Sequence, residues 1–208
     1  MREHLAELPL IAILRGITPD EAVPVGLALA EAGFRIIEVP LNSLQPLQSI
    51  ERLVRELGTR CLVGAGTVMS AAQVDAVAQA GGRLIVMPHG DAAVIRAAKA
   101  HSLSCAPGIA TPSEGFAALA AGADALKLFP AELLTPAVLK ALRAVFPSDT
   151  LFVPVGGITP QNLTAYLAAG ASGFGLGSAL YKPGDTAQDV AAHAKAFVTA
   201  WRSASSVD

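Results

Sequence analysis

The chain has 208 residues, 52% of them apolar and 15% charged, with a net charge of −2. That length suits a single domain spanning residues 1–208, with enough apolar residues for a substantial core. The near-neutral balance leaves no electrostatic footprint for nucleic acid or an anionic membrane surface, and no apolar run reaches the roughly 18 residues of a transmembrane helix.

The segment Met1 to Glu7 mixes charges and lacks the apolar centre of a signal peptide. Cys61 and Cys105 each open an apolar run and read as buried free thiols of a reducing compartment. Both features point to the cytoplasm.

Taken in order, a short helix covers the first eight residues and stops at Pro9. Leu10 to Gly16 reads as the first strand. Thr18-Pro19-Asp20-Glu21 then starts a helix, with Thr18 as cap, Pro19 at the first helical position and Glu21 three residues after the cap. That helix runs to Ala32 and ends at Gly33. Arg35 to Leu41 is the second strand, followed by a helix from Pro46 to Leu57. Cys61 to Val68 is the third strand, and Ser70 caps a helix to Ala80. Arg83 to His89 is the fourth strand, and Asp91 caps a helix to His101. Ser104 to Gly108 is a short fifth strand, and Thr111-Pro112-Ser113-Glu114 repeats the cap, proline and acid of the earlier helix start.

Ala125 to Pro130 is the sixth strand, and Thr135-Pro136 opens a helix to Phe146. Leu151 to Gly157 is the seventh strand, with a helix from Thr159-Pro160 to Gly170. Gly173 to Ser178 is the eighth strand, and a last helix covers Thr186 to Arg202, leaving a frayed tail from Ser203 to Asp208. Ala-Gly pairs recur at helix ends, at Gly33, Gly81, Gly122 and Gly170. Regular alternation of strands and helices implies a parallel sheet with right-handed crossovers. Eight such units at this length predict a (β/α)8 TIM barrel with a short N-terminal helix.

In such a barrel the site lies at the C-terminal ends of the strands. Lys127 sits between Leu126 and Leu128 in a short apolar strand, where an ammonium group is costly to bury. Strand alternation turns Lys127 inward and its two leucines outward. The same rule turns Glu38 inward and Ile37 and Val39 outward. One reading is a buried ion pair that only stabilises the fold. The other is covalent amine catalysis: desolvation lowers the amine pKa so that it can attack a carbonyl, and the carboxylate moves protons. That chemistry makes or breaks a C–C bond beside a ketone.

Gly156-Gly157 and Gly177-Ser178 end the last two strands, where backbone N–H groups often hold a phosphate. Each turn alone also reads as a plain helix-flanking glycine. Arg15 ends the first strand and can clamp a carboxylate or phosphate, or form a rim salt bridge. Thr67 can donate to a substrate carboxylate, or bond to backbone. His89 is one of four histidines and reads as a rim or supporting residue, since a metal site wants several grouped ligands. No metal and no cofactor is expected. A metal-dependent sugar-phosphate epimerase would need grouped His and Asp ligands, and a non-catalytic metabolite-binding barrel would leave Lys127 and Glu38 without a use.

The segments Pro9 to Gly16, Ile37 to Ser43, Val63 to Thr67 and Ala125 to Pro130 resemble the KDPG/KHG aldolase family. The late turns Val155 to Pro160 and Gly175 to Ser178 fit it too, so the likeness spans essentially the whole chain. It implies a class I aldolase that forms a Schiff base, needs no cofactor and is usually a homotrimer. At matching positions Lys127 would be the Schiff-base lysine and Glu38 the proton donor and acceptor. Arg15 and Thr67 would bind or orient the pyruvate-derived carboxylate end. Gly156, Gly157, Gly177 and Ser178 would hold the phosphate, and Pro88 and Phe129 would line the pocket. Where gluconate-type members continue their glutamate motif with Leu-Arg-Thr, this chain has Leu41-Asn42-Ser43, which resembles the galactonate-specific branch. Asn42 and Ser43 are therefore the expected specificity residues. The implied substrate is a phosphorylated keto-deoxy sugar acid, 2-dehydro-3-deoxy-6-phosphogalactonate, cleaved to pyruvate and glyceraldehyde 3-phosphate. The gluconate epimer and 4-hydroxy-2-oxoglutarate are the alternatives.

Overall fold

The computed structural model describes residues 1–205. The chain begins with α1 (Arg2–Glu7), β1 (Leu10–Ile13), α2 (Pro19–Glu31), β2 (Ile36–Pro40), α3 (Pro46–Leu57), β3 (Leu62–Gly66) and α4 (Ala71–Gln79). It continues through β4 (Leu84–Val86), α5 (Ala92–Ala100), β5 (Ser104–Ala106), β6 (Gly108–Ile109), α6 (Pro112–Ala120), β7 (Leu126–Leu128) and α7 (Pro136–Arg143). It closes with β8 (Phe152–Pro154), α8 (Leu163–Ala168), β9 (Phe174–Leu176) and α9 (Ala187–Ser205). The tail expected to fray from Ser203 is helical to Ser205, and its positions 206–208 lie outside the described residues.

The fold is α/β, on a curled parallel sheet. Six strands run in the order β5-β4-β3-β2-β1-β9 and three in the order β6-β7-β8. An isolated parallel bridge joins Val155, just past β8, to Gly175 of β9. Among the described residues nine strands stand where the sequence predicts eight, because the predicted fifth strand is split into β5 and β6 at Pro107. Proline has no N–H to give to a ladder. Its carbonyl still accepts the Lys127 N–H at 2.9 Å.

Side-chain alternation divides the core into two layers. Ile11, Ile13, Ile36, Leu62, Leu84, Val86 and Val153 meet inside the curl of the sheet. Their neighbours Leu10, Ala12, Ile37, Val63, Ile85, Leu126 and Phe152 face outward and meet the helices. Leu5 of α1 joins the inner layer, so the N-terminal helix covers the end of the curl at which the strands begin. The end at which the strands finish is left to the site.

The helix starts obey their sequence signals. Glu21 Oε2 accepts from the Thr18 N–H at 2.9 Å and from the Thr18 hydroxyl at 2.7 Å. Glu114 does the same for Thr111, at 2.8 Å in each case. Asp91 accepts from the Ala93 N–H at 2.7 Å, and Ser70 from that of Gln73 at 3.3 Å. Caps of this kind are each worth about 1 kcal/mol. The Ala-Gly pairs at Gly33, Gly81, Gly122 and Gly170 end their helices with left-handed glycines, φ +80 to +106°. One start differs. The helix expected from Thr159-Pro160 begins only at Leu163, because the Asn162 side chain takes the Thr159 N–H at 2.9 Å and donates to the Gly157 carbonyl at 2.8 Å.

Candidate active site

Glu38 in β2 and Lys127 in β7 both point into the curl, since their neighbours Ile37, Val39, Leu126 and Leu128 all belong to the outer layer. Glu38 is 2% exposed and Lys127 6%, and among the described residues no other charged side chain is buried. Glu38 lies opposite Ile13 of β1 and Gly64 of β3. Lys127 lies opposite Gly108 of β6 and Val153 of β8. Gly66 leaves the space that the Glu38 carboxyl fills: a Cβ built there would collide with it. Glu38 Oε2 is buried and accepts no hydrogen bond from the protein.

Burial pushes the Glu38 carboxyl up to about 7, against the opposing pull of Lys127 and Arg15. Burial also lowers the Lys127 ammonium; Glu38 pulls it back up, and Arg15 adds to the lowering. Near neutral pH the carboxyl can therefore both give and take a proton, and the amine loses its proton more easily than a surface lysine. Among the described residues the ion pairs join other side chains, so these two share an interior without a direct salt bridge. A stabilising ion pair, one of the two readings of the sequence, is not what the structure contains. The Lys127 Nζ stands 4.6 Å from the centre of the Phe129 ring, an arrangement in which the ring face attracts a cation.

A cavity of about 430 Å³ opens beyond the C-terminal ends of β1, β8 and β9. It brings together six of the expected residues: Arg15, Phe129, Gly156, Gly157, Gly177 and Ser178. Gly156 and Gly157 have φ of +110° and +62°, and a Cβ on either would meet the Glu132 side chain. The turn thus needs glycine twice, and its backbone faces the cavity. Lys127, Glu38, Thr67 and Pro88 do not line this cavity. Thr67 follows β3 in a left-handed conformation, φ +56°, which is strained for a β-branched residue. Pro88 follows β4 and lies with its carbonyl against Gly108, the strand partner of Lys127. His89 sits beside it with a buried Nδ1 that has no protein partner.

Asn42 and Ser43 do not line the cavity either; they contact the loop that does. Arg15 Nη1 donates to Asn42 Oδ1 at 2.6 Å, and the Gly16 N–H donates to Ser43 Oγ at 2.9 Å.

Sequence reasoning missed Glu132, Tyr181 and Lys182, which also line the cavity, and took Thr159 only as part of the Gly156-Gly157 turn and a helix start. Each lies within a few residues of a strand's C-terminal end, so the rule that located the site would have found them if applied beyond the strand itself. Glu132 brings a carboxylate to a cavity that Arg15 and Lys182 make cationic. Tyr181 is buried with an unpartnered hydroxyl, which burial and the nearby Glu21 and Asp185 push up to about 12. Cys61 and Cys105 are buried free thiols raised by burial, Cys105 to about 12. Among the described residues no three or more His, Cys, Asp or Glu are grouped to hold a metal ion, and no helix is long and apolar enough to cross a membrane.

The family model for KDPG and KHG aldolase matches residues 1–195. The chain is 50% identical over 198 residues to 2-dehydro-3-deoxy-6-phosphogalactonate aldolase of Escherichia coli strain K12, a match covering 95% of this chain and 97% of that protein. The native KDPGal structure superposes with a TM-score of 0.95 at 50% identity, over 97% of this chain and 98% of that one. The KDPG aldolase of Legionella pneumophila, solved with pyruvate captured at low pH as a covalent carbinolamine intermediate, superposes at 0.83 with 27% identity, over 95% of this chain and 96% of that one.

Proposed function

We infer the reaction from one premise: this chain belongs to the KDPG and KHG aldolase family and is an aldolase, a lyase of C–C bonds. Its substrate is 2-dehydro-3-deoxy-6-phosphogalactonate, cleaved reversibly to pyruvate and glyceraldehyde 3-phosphate. The 50% identity to a galactonate-type relative over nearly the full length favours this epimer. Gluconate-type relatives stand further away, such as that of Pseudomonas aeruginosa at 36% identity over 162 residues and that of Legionella pneumophila at 27%.

The observation that carries the mechanism is the buried pair Lys127 and Glu38, inward-facing and not joined as a salt bridge. The neutral Lys127 amine attacks the C2 ketone of the sugar acid. Glu38 protonates the carbinolamine hydroxyl, which leaves as water and gives an iminium. Glu38, now a carboxylate, takes the proton of the C4 hydroxyl. The C3–C4 electrons move into the iminium, the aldehyde departs, and an enamine remains on Lys127. Protonation at C3 and hydrolysis by water release pyruvate and restore the free amine. A carboxyl near pH 7 suits both proton transfers.

Thr67 and Pro88 flank the pyruvate end. The backbone of Gly156, Gly157 and Gly177, with the Ser178 hydroxyl, receives the phosphate, and Arg15 supplies charge between the two ends. Phe129 covers the amine. The nine described strands act as one closed (β/α)8 barrel, with β5 and β6 as a single strand bent at Pro107. The Val155–Gly175 bridge and the Lys127 N–H to Pro107 bond support that closure. The working form is a homotrimer, for which the exposed Leu44, Leu47 and Met69 offer apolar surface. Its place is the cytoplasm, where free thiols persist.

The test is kcat/KM on the two epimeric sugar acids. A preference of at least about tenfold for the galactonate epimer, equivalent to roughly 1.4 kcal/mol in the transition state, is expected. A preference for the gluconate epimer overturns the assignment while leaving the aldolase chemistry intact.

A further inference from the structure

The segment leaving β1 is tied at three successive residues to β2 and the turn that follows it. The Leu14 N–H donates to the Glu38 carbonyl at 2.9 Å, Arg15 Nη1 to Asn42 Oδ1 at 2.6 Å, and the Gly16 N–H to Ser43 Oγ at 2.9 Å. The turn that continues the strand carrying Glu38 therefore also holds the Arg15 side chain. Gly16 is held in a left-handed turn, φ +83°, with Pro183 packed where a Cβ would go.

Arg15 has one side-chain hydrogen bond and no ion pair among the described residues. A guanidinium carries five N–H donors, so most of them are uncommitted at the rim of the cavity that Arg15 lines. The partner is a neutral amide. An aspartate in its place would hold the arginine as well, but would neutralise it and compete with an anionic ligand. An amide orients the group and leaves its charge whole. Asn42 and Ser43 are absent from the cavity wall, whereas Arg15 and Gly16 are part of it.

We propose that Asn42 is a positioning residue: it aims the Arg15 guanidinium, with its charge intact, into the cavity between the two anionic ends of the substrate. Asn42 and Ser43 then act on sugar-acid choice through Arg15 and the Gly16 turn, not by touching the substrate. This rests on the aldolase reading above.

A four-protein cycle tests it: wild type, Asn42→Ala, Arg15→Ala and the double variant, assayed on the phosphorylated galactonate substrate. Asn42→Ala should lower kcat/KM roughly 5- to 10-fold, the size expected for the loss of one typical hydrogen bond, with the loss mainly in KM. The double variant should match Arg15→Ala, because Asn42 has nothing left to aim. Asn42→Asp should fall below Asn42→Ala. A further 5- to 10-fold loss in the double variant, or an Asn42→Ala protein equal to wild type, overturns the proposal. Inorganic phosphate titrated against the same proteins reads the cycle without turnover. A wild type that cleaves neither epimer but shows the cycle with phosphate overturns the reaction and supports the positioning role.

Discussion

Replacing Glu38 by Gln removes the charge that the fold has most difficulty burying. The carboxyl sits at about 7 in the folded chain against an ordinary value of 4.5. The folded state therefore holds this proton more tightly than the unfolded state does. Stability on this account is greatest below about pH 4.5 and is lost as pH rises through 7. A gap of 2.5 pH units, 7 minus 4.5, corresponds to roughly 3 kcal/mol, fully developed by about pH 8. Glutamine has the shape of the protonated acid and does not titrate. The Glu38→Gln protein should match wild type near pH 4.5 and exceed it by up to about 3 kcal/mol at pH 8. For a chain of this length that is about 6–12 °C in Tm. Urea unfolding of both proteins at the two pH values measures the difference, in which groups common to both cancel. Equal losses of stability between the two pH values would mean that Glu38 titrates as an ordinary carboxylate, and the burial argument would fail.

Three further outcomes follow from the same geometry. Glu38→Gln should cut turnover by roughly 10²- to 10⁴-fold, the usual contribution of a general acid–base, while still forming the pyruvate imine; unchanged kcat in a steady-state assay would remove Glu38 from the mechanism. Gly66→Ala puts a methyl group where the Glu38 carboxyl lies, and should cost about 1–3 kcal/mol in denaturant unfolding together with most of the activity. A fully active Gly66→Ala enzyme would show that Glu38 has room to move. Arg143→Ala removes bonds of 2.6–2.8 Å to the carbonyls of Thr150 and Gly170 and the hydroxyl of Ser172, and a ring contact with Phe152. It should lower stability by about 2–4 kcal/mol, since it strands acceptors just ahead of β8 and β9, with KM little changed in the folded fraction.

The features legible in the sequence were those with a local period or a local cap. Alternation about Glu38 and Lys127 was enough to turn both inward, and the Thr18–Glu21 and Thr111–Glu114 pairs marked their helices. Pro107 was visible, but its effect depends on which neighbours need its missing N–H. The late start of α8 depends on Asn162 choosing the Thr159 N–H and the Gly157 carbonyl over a solvent-facing pose. The site was legible where strands carry it and hidden where loops meet. Nothing near Asn42 in sequence indicates Arg15, 27 positions earlier, as its partner. Glu132 was overlooked because it stands past a strand end, in a turn whose direction only the fold determines.

Trapping with pyruvate and borohydride tests the central claim most directly. Peptide mass spectrometry should find one reduced pyruvyl group, on Lys127, and none in the Lys127→Ala protein. An unmodified Lys127 in active enzyme, or an adduct on Lys182 at the cavity wall instead, would contradict it.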